Sequence, residues 1–231
     1  VIMAILEEMS ELLQKGRANE VKELVQKAMD EKMSAKVILE EGLMSGMNII
    51  GVKFKNNEVY VPEVLIAARA MNAGISLLRP LLVAEGVETK GTVILGTVKG
   101  DLHDIGKNLV KMMMEGKGLE VIDLGTDVPS DKFIESAKEK KGHIIACSAL
   151  LTTTMTEMKG VVDKAVEDGV RDSVKIMVGG APVTDNYCES IGADSYAPDA
   201  ASAAEKALEI PSRIPKDLDM ELVGRGAVFH D

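Results

Sequence analysis

His103 follows Asp101 by two residues and precedes Gly106 by three, in the run Asp101-Leu102-His103-Asp104-Ile105-Gly106. This run sits between a strand-like segment, Thr92 to Val98, and a helix-like one, Lys107 to Glu115. A histidine on a loop at the carboxyl end of a parallel strand points into the crevice where open α/β sheets bind ligands. An aspartate two residues before it can take the proton of one ring nitrogen and leave the other for a metal. Two further loops carry suitable chemistry. Ser148-Ala149-Leu150-Leu151-Thr152-Thr153-Thr154 offers small hydroxyl donors and acceptors, and Gly179-Gly180-Ala181-Pro182 removes side chains where a flat group would pass the backbone. Gly106 would let the helix begin close to the ligand.

The elements that must position these loops read as two halves. Up to about Leu82 the apolar spacing is helical: Ile2, Ile5, Leu6, Met9, Leu12 and Leu13 form one stripe, and Val21, Leu24, Val25, Ala28 and Met29 a second. Ser34 suits the N-cap of a third helix running to about Ile50, and Pro62 opens a fourth through Leu78. After a polar connector, Val83 to Lys90, short β-rich runs alternate with helices. The expected strands are Thr92 to Val98, Glu120 to Leu124, His143 to Ser148, Lys175 to Val178 and Asp194 to Tyr196. The fold class is therefore α/β, with an N-terminal four-helix-bundle cap (residues 1–88) followed by a flavodoxin-like, Rossmann-type, doubly wound five-stranded parallel sheet (89–210). Residues 211–231 form a C-terminal tail without a clean period.

Composition narrows the function. The chain has 231 residues, 46% of them apolar, and 27 Lys plus Arg against 37 Asp plus Glu, giving a net charge of -10. With no basic cluster or aromatic platform, nucleic-acid binding is excluded. No apolar run approaches the roughly 18 residues of a membrane span, and the amino end shows no leader pattern, so a cytoplasmic location is expected. Cys147 and Cys188 share no ligand spacing and read as reduced core thiols. Fourteen Met read as soft core filler.

The order Asp101-x-His103-x-x-Gly106, then 41 residues, Ser148-x-Leu150, then 28 residues and Gly179-Gly180 resembles the cobalamin-binding domains. The stretch from Gly51 to Phe54, through Val61-Pro62-Glu63 to Met71, resembles the cap module of cobalamin-dependent methionine synthase and of the corrinoid proteins of methanogens and acetogens. The resemblance covers about nine tenths of the chain, leaving out mainly the tail.

The resemblance implies a cobalamin whose dimethylbenzimidazole tail is displaced from cobalt into a slot beside the sheet, cycling between methylcobalamin and the Co(I) form, cob(I)alamin. His103 would be the lower axial ligand, Asp101 its hydrogen-bond acceptor, and Thr154 the hydroxyl bonded to Asp101. Thr154 stands where methionine synthase has serine. Asp104 and Ile105 would lie beneath the corrin ring, with Gly106 beside them. Ser148, Leu150 and Thr152 would line the slot, Gly179 and Gly180 its backbone wall, and Ala200 the nucleotide end. Phe54 and Val61 would cover the upper face of cobalt, and Glu40, next to Glu41, would be an acidic cofactor contact. The implied role is a methyl carrier without catalytic residues of its own. It would work between a substrate:corrinoid methyltransferase and a methylcorrinoid:folate or thiol methyltransferase, with a reductive activating protein and a cap hinged at Val83 to Lys90. A cobalamin-binding subunit of an adenosylcobalamin-dependent mutase and a cobalamin-sensing regulatory module are the alternatives.

Overall fold

The computed structural model describes residues 2–210. The expected tail, residues 211–231, lies outside them. The described residues divide into two compact units: those up to Thr89 together with Met112–Gly118, and Lys90–Lys111 together with those from Leu119 onward.

The first unit is helical. Helices α1 (Ile2–Gln14) and α2 (Ala18–Asp30) are followed by a continuous helical rod that is not uniform. It starts as α3 (Ala35–Val37), widens into a π-helical stretch (Ile38–Met44), and resumes as α4 (Ser45–Lys55). Ser34 caps the rod as expected, its side chain accepting the Val37 N–H. The rod passes the expected end at Ile50 and stops at the turn formed by Asn56 and Asn57, the latter with φ of 59°. Helix α5 (Val61–Ala84) begins with Pro62 in its first turn and the Glu63 carboxylate accepting the Tyr60 N–H at 3.0 Å.

Helix α5 corrects two expectations. It runs to Ala84, past the expected end at about Leu82, and takes Val83 and Ala84 out of the connector; Gly86, at φ of 63°, ends it, with Gly86 and Val87 N–H bonded to the Val83 and Leu82 carbonyls. At 24 residues it is also long and apolar enough, by length and composition, to cross a membrane, which no run was expected to be. Its buried residues Val64, Ala67, Ala70, Met71 and Leu78 form a stripe at helical spacing, and it packs along α2 within the unit. Met9, Leu13, Val21, Val25, Ile38 and Leu43 complete this core.

The second unit is a five-stranded parallel sheet in the order β2-β1-β3-β4-β5. Its strands are β1 (Thr92–Thr97), β2 (Glu120–Asp123), β3 (Ile144–Ser148), β4 (Lys175–Gly179) and β5 (Ser195–Tyr196). Each lies within two residues of its expected bounds. Between them run α6 (Ile105–Gly116), α7 (Ser130–Glu139), α8 (Glu157–Glu167) and α9 (Asp185–Ser190), and α10 (Ala200–Glu209) follows β5. All six β1 residues are buried, as a strand covered on both faces requires. Phe133 and Ile134 of α7 and Met158 and Val161 of α8 close one side over Ile94, Ile145 and Val178. Cys147 and Cys188 are buried unpaired thiols, and burial pushes the Cys147 thiol up to about 12.

Register decides where the loops emerge. Thr97 pairs with Ser148, and Ser148 with Gly179, so the last residues of β1, β3 and β4 stand in one row. The chain leaves β1 toward β2 on one side, while β3 occupies the other side. This is the switch point at which an open α/β sheet forms its crevice.

Candidate functional site

Beyond β1 the backbone is held from both flanks. Thr97 N–H bonds to the Gly125 carbonyl at 2.9 Å, and Val98 N–H to the Ser148 carbonyl at 3.0 Å. The loop then turns at Gly100, with Asp101 N–H returning to the Val98 carbonyl at 3.1 Å. This turn drives the Asp101 side chain inward, to 0% exposure.

The Asp101 carboxylate collects five donor contacts. Oδ1 accepts the His103 backbone N–H at 3.1 Å and meets the His103 ring Nδ1 at 2.7 Å. Oδ2 accepts the Leu150 N–H at 2.8 Å, the Leu151 N–H at 3.4 Å and the Thr154 hydroxyl at 2.7 Å. Burial alone would raise the pKa of this carboxyl. The bonds from Leu150, Thr154 and His103 outweigh burial and hold it far below the usual carboxylate range.

The tautomer of His103 follows. An ionised carboxylate can only accept, so the hydrogen between Oδ1 and Nδ1 belongs to the ring, and in the neutral imidazole Nε2 keeps its lone pair. The ring is 52% exposed, and the aliphatic side chains of Leu102 (74%) and Ile105 (76%) flank it in sequence. Leu150 and Leu151, whose N–H groups bond Asp101, are also exposed. Water-facing aliphatics around one oriented imidazole suit a ligand that is broad, apolar and metal-bearing. Among the described residues no three His, Cys, Asp or Glu are grouped to hold a metal ion. His103 could therefore supply one bond to a metal that brings its other ligands in a macrocycle, and the residues present fit such a group.

The other expected residues fall as follows. Asp104 starts α6, its carbonyl accepting Asn108 N–H at 2.8 Å. Gly106 is exposed in the first turn, and a Cβ there would meet nothing within 4 Å. Ser148 is half-buried and Thr152 exposed. The Gly179 carbonyl accepts Ala149 N–H at 3.2 Å. Gly180 has φ of 129°, and a Cβ there would lie 1.8 Å from the Ala149 carbonyl oxygen. Glycine is thus demanded at 180 by the neighbouring loop's backbone, a cause distinct from the passing flat group expected from the sequence. The three loops do meet: the first and second at Asp101, the second and third at Ala149. Ala200 opens α10 and is buried, behind Asp199, which caps the helix by accepting Ser202 N–H at 2.8 Å.

Phe54, Val61 and Glu40 belong to the helical unit and are half-buried. Phe54 lies at the end of α4 and Val61 at the start of α5. Glu40 lies in the π-helical stretch, a geometry that recurs at functional sites. Its neighbour Glu41 lines a groove of about 470 Å³ together with Met3, Glu7, Ser10, Glu11 and Ile49.

Four supporting residues escape the sequence reading. Lys107, 3% exposed, places Nζ 2.6 and 2.7 Å from the two Asp123 oxygens. Burial would raise the Asp123 pKa, but Lys107, the Gly125 N–H and Lys111 bring it below its ordinary value. The Asp127 carboxylate accepts Gly100 N–H at 2.7 Å, and its own N–H bonds to the Asp101 carbonyl at 2.9 Å. Thr97 donates its hydroxyl to the His103 carbonyl at 2.8 Å. One signal was available: Lys107 interrupts an apolar helix face next to the His103 loop.

This geometry defines a cofactor-binding protein of the doubly wound class. Residues 91–207 match the family profile described as a B12 binding domain, and residues 5–79 match a second profile with the same description. A corrinoid protein of Desulfitobacterium hafniense is 40% identical, over 91% of this chain and 99% of its own length. A dimethylamine corrinoid protein of Methanosarcina barkeri is 42% identical, over 89% of this chain and 97% of its own. Among solved structures, a chain of the methanol:cobalamin methyltransferase complex of Methanosarcina barkeri superposes with a TM-score of 0.82 at 27% identity, covering 98% of this chain and 86% of that one. The chain belongs to the methyltransferase corrinoid protein family, with two B12 binding domains.

Proposed function

We propose that this protein is a corrinoid methyl carrier, holding cobalamin base-off with His103 as the lower axial ligand. When bound, the cofactor would supply a cobalt able to accept a methyl group from one partner and yield it to another. Asp101 would keep Nδ1 protonated and Nε2 directed outward, and Thr154 would hold Asp101 in place. Leu102, Ile105, Leu150 and Leu151 would contact the ring and exclude water. Ser148, Leu150, Thr152, Gly179, Gly180 and Ala200 would accommodate the displaced nucleotide tail, and Asp104 would fix the start of α6. In the helical unit, Phe54, Val61 and Glu40 would be cofactor contacts.

The observation that carries this reading is the carboxylate-locked, half-exposed imidazole, with no group of three His, Cys, Asp or Glu placed to hold a metal ion among the described residues. The partners would be a substrate:corrinoid methyltransferase, a methylcorrinoid:folate or thiol methyltransferase and a reductive activator, in the cytoplasm. A methyltransferase partner is supported by the similar chain found in a methyltransferase complex. For the donor, structural comparison gives 36% identity to a monomethylamine corrinoid protein and 27% to the chain from the methanol complex, which favours a methylated amine.

The test uses protein labelled with 15N-histidine and loaded with cob(II)alamin. Axial 14N splits the electron paramagnetic resonance signal into triplets, and axial 15N into doublets. Doublets that disappear in His103→Gly support the assignment. Triplets that persist in labelled protein mean benzimidazole still binds cobalt, and the base-off reading fails.

A further inference from the structure

We infer that Thr97 is a positioning residue for His103, its buried hydroxyl anchoring the backbone from which the imidazole is aimed. The inference rests on the reading that His103 is the residue presented to the metal.

Thr97 is fully buried, and its own backbone cannot move independently. Its N–H is bonded to Gly125, its carbonyl accepts Val128 N–H at 3.0 Å, and it pairs with Ser148 in the sheet. Asp127, beside Val128, holds the far side of the same loop through Gly100 and the Asp101 carbonyl. From this rigid post the hydroxyl spends its one proton on the His103 carbonyl at 2.8 Å.

That carbonyl is the element Asp101 leaves unfixed. Asp101 Oδ1 holds the His103 backbone N–H and the ring Nδ1, so a single oxygen atom fixes two points of the residue. Two contacts to one atom leave a pivot: the residue can turn about that oxygen as a unit while both contacts persist, and its carbonyl and its outward nitrogen then move together. Thr97 supplies the third point, from the opposite side of the chain. It acts two residues before α6 begins at Ile105, so it also sets where the histidine stands relative to the helix. Asp101 thus sets the tautomer of the ring, and Thr97 its direction.

Thr97→Val removes the donor while keeping the shape. Thr97→Ser keeps the donor. Thr92→Val, at the other end of the same strand, removes a buried hydroxyl that bonds Glu120 at 3.2 Å and serves as the control for general loss of stability. The first readout needs no cobalt: the 1H–15N resonance of the His103 ring Nδ1–H in full-length, cofactor-free protein. Wild type, Thr97→Ser and Thr92→Val should show a protected, slowly exchanging proton. Thr97→Val should show exchange roughly 3- to 10-fold faster, the range a lost buried hydrogen bond allows. The second readout is the fraction of cob(II)alamin carrying histidine-derived splitting, which Thr97→Val should lower at equal cobalamin content and Thr97→Ser restore. Unchanged exchange in Thr97→Val, or equal acceleration in Thr92→Val, overturns the inference. If the ring proton responds as stated but no variant shows histidine splitting, the ligation reading fails while the positioning role of Thr97 stands.

Discussion

Gly106→Ala should raise the stability of the cofactor-free protein and weaken its hold on cobalamin. Gly106 lies in the first turn of α6 with a φ outside the left-handed region, and an added Cβ would meet nothing within 4 Å. Without a clash, the methyl acts mainly by restricting the unfolded chain, a gain of about 0.4–1 kcal/mol for Gly→Ala at a compatible position. For a chain of this size that corresponds to a rise in Tm of roughly 1–4 °C. The same methyl would occupy open space three residues from His103. If a corrin ring is to lie there, a carbon inserted into its contact surface costs on the order of 1–3 kcal/mol, the range for overpacking, or roughly 5- to 150-fold in affinity. Calorimetric melting of cofactor-free protein measures the first effect, and titration with aquocobalamin followed by absorbance measures the second. A stabilised variant that binds cobalamin as tightly as wild type would refute the reasoning, because the space above Gly106 would then not be the cofactor's.

Gly180→Ala is expected to lower stability by about 2–4 kcal/mol. It combines strained backbone at φ of 129° with displacement of the Ala149 carbonyl, and urea midpoints should fall accordingly, whereas a midpoint near wild type would mean the two loops are not in contact. Acid should act through Asp123, whose folded pKa lies below its unfolded value: the Lys107–Asp123 pair contributes stability fully present above about pH 4 and lost as pH falls toward the folded pKa. Asp123→Asn should therefore be less stable at pH 7 by up to about 3–5 kcal/mol, because Lys107 loses its charged partner, and its stability should vary less between pH 5 and 3. Parallel pH profiles in urea unfolding would show that the pair is not a source of acid sensitivity.

The sheet was legible because its strands are short β-rich runs, such as Thr92-Val93-Ile94-Leu95, bounded by turn residues, and their number and alternation dictate a doubly wound order. The Asp101–His103–Thr154 cluster was reachable through family resemblance, since 53 residues separate Asp101 from Thr154 and no local pattern links them. The π-helical stretch was not anticipated, because one uniform helix was expected from Ser34 to about Ile50; the buried Ile38 and Leu43 stand five residues apart, a spacing that a π-turn closes and an α-helix puts on different faces. Lys107 and Asp123, 16 residues apart, share no local pattern, and only the fold sets the end of β2 against the first turn of α6. Gly180 stood out as a glycine in a strand-end loop, but the steric demand there comes from a carbonyl in another loop, which only the sheet register brings near.

Burying a carboxylate is costly, and Asp101 is tolerable inside the protein only because each oxygen is bonded more than once. Those bonds have a directional consequence. Were Asp101 protonated, it could donate to Nδ1, and the ring hydrogen would move to Nε2, where it would block metal coordination. The two Leu N–H groups and the Thr154 hydroxyl are all donors, so they favour the ionised form and exclude that arrangement. The ability of His103 to offer a lone pair is therefore set in the loop after β3, 47 to 51 residues further along the chain. By the same argument Thr154→Ser preserves the tautomer, whereas a side chain at 154 lacking a hydroxyl weakens it without touching the histidine.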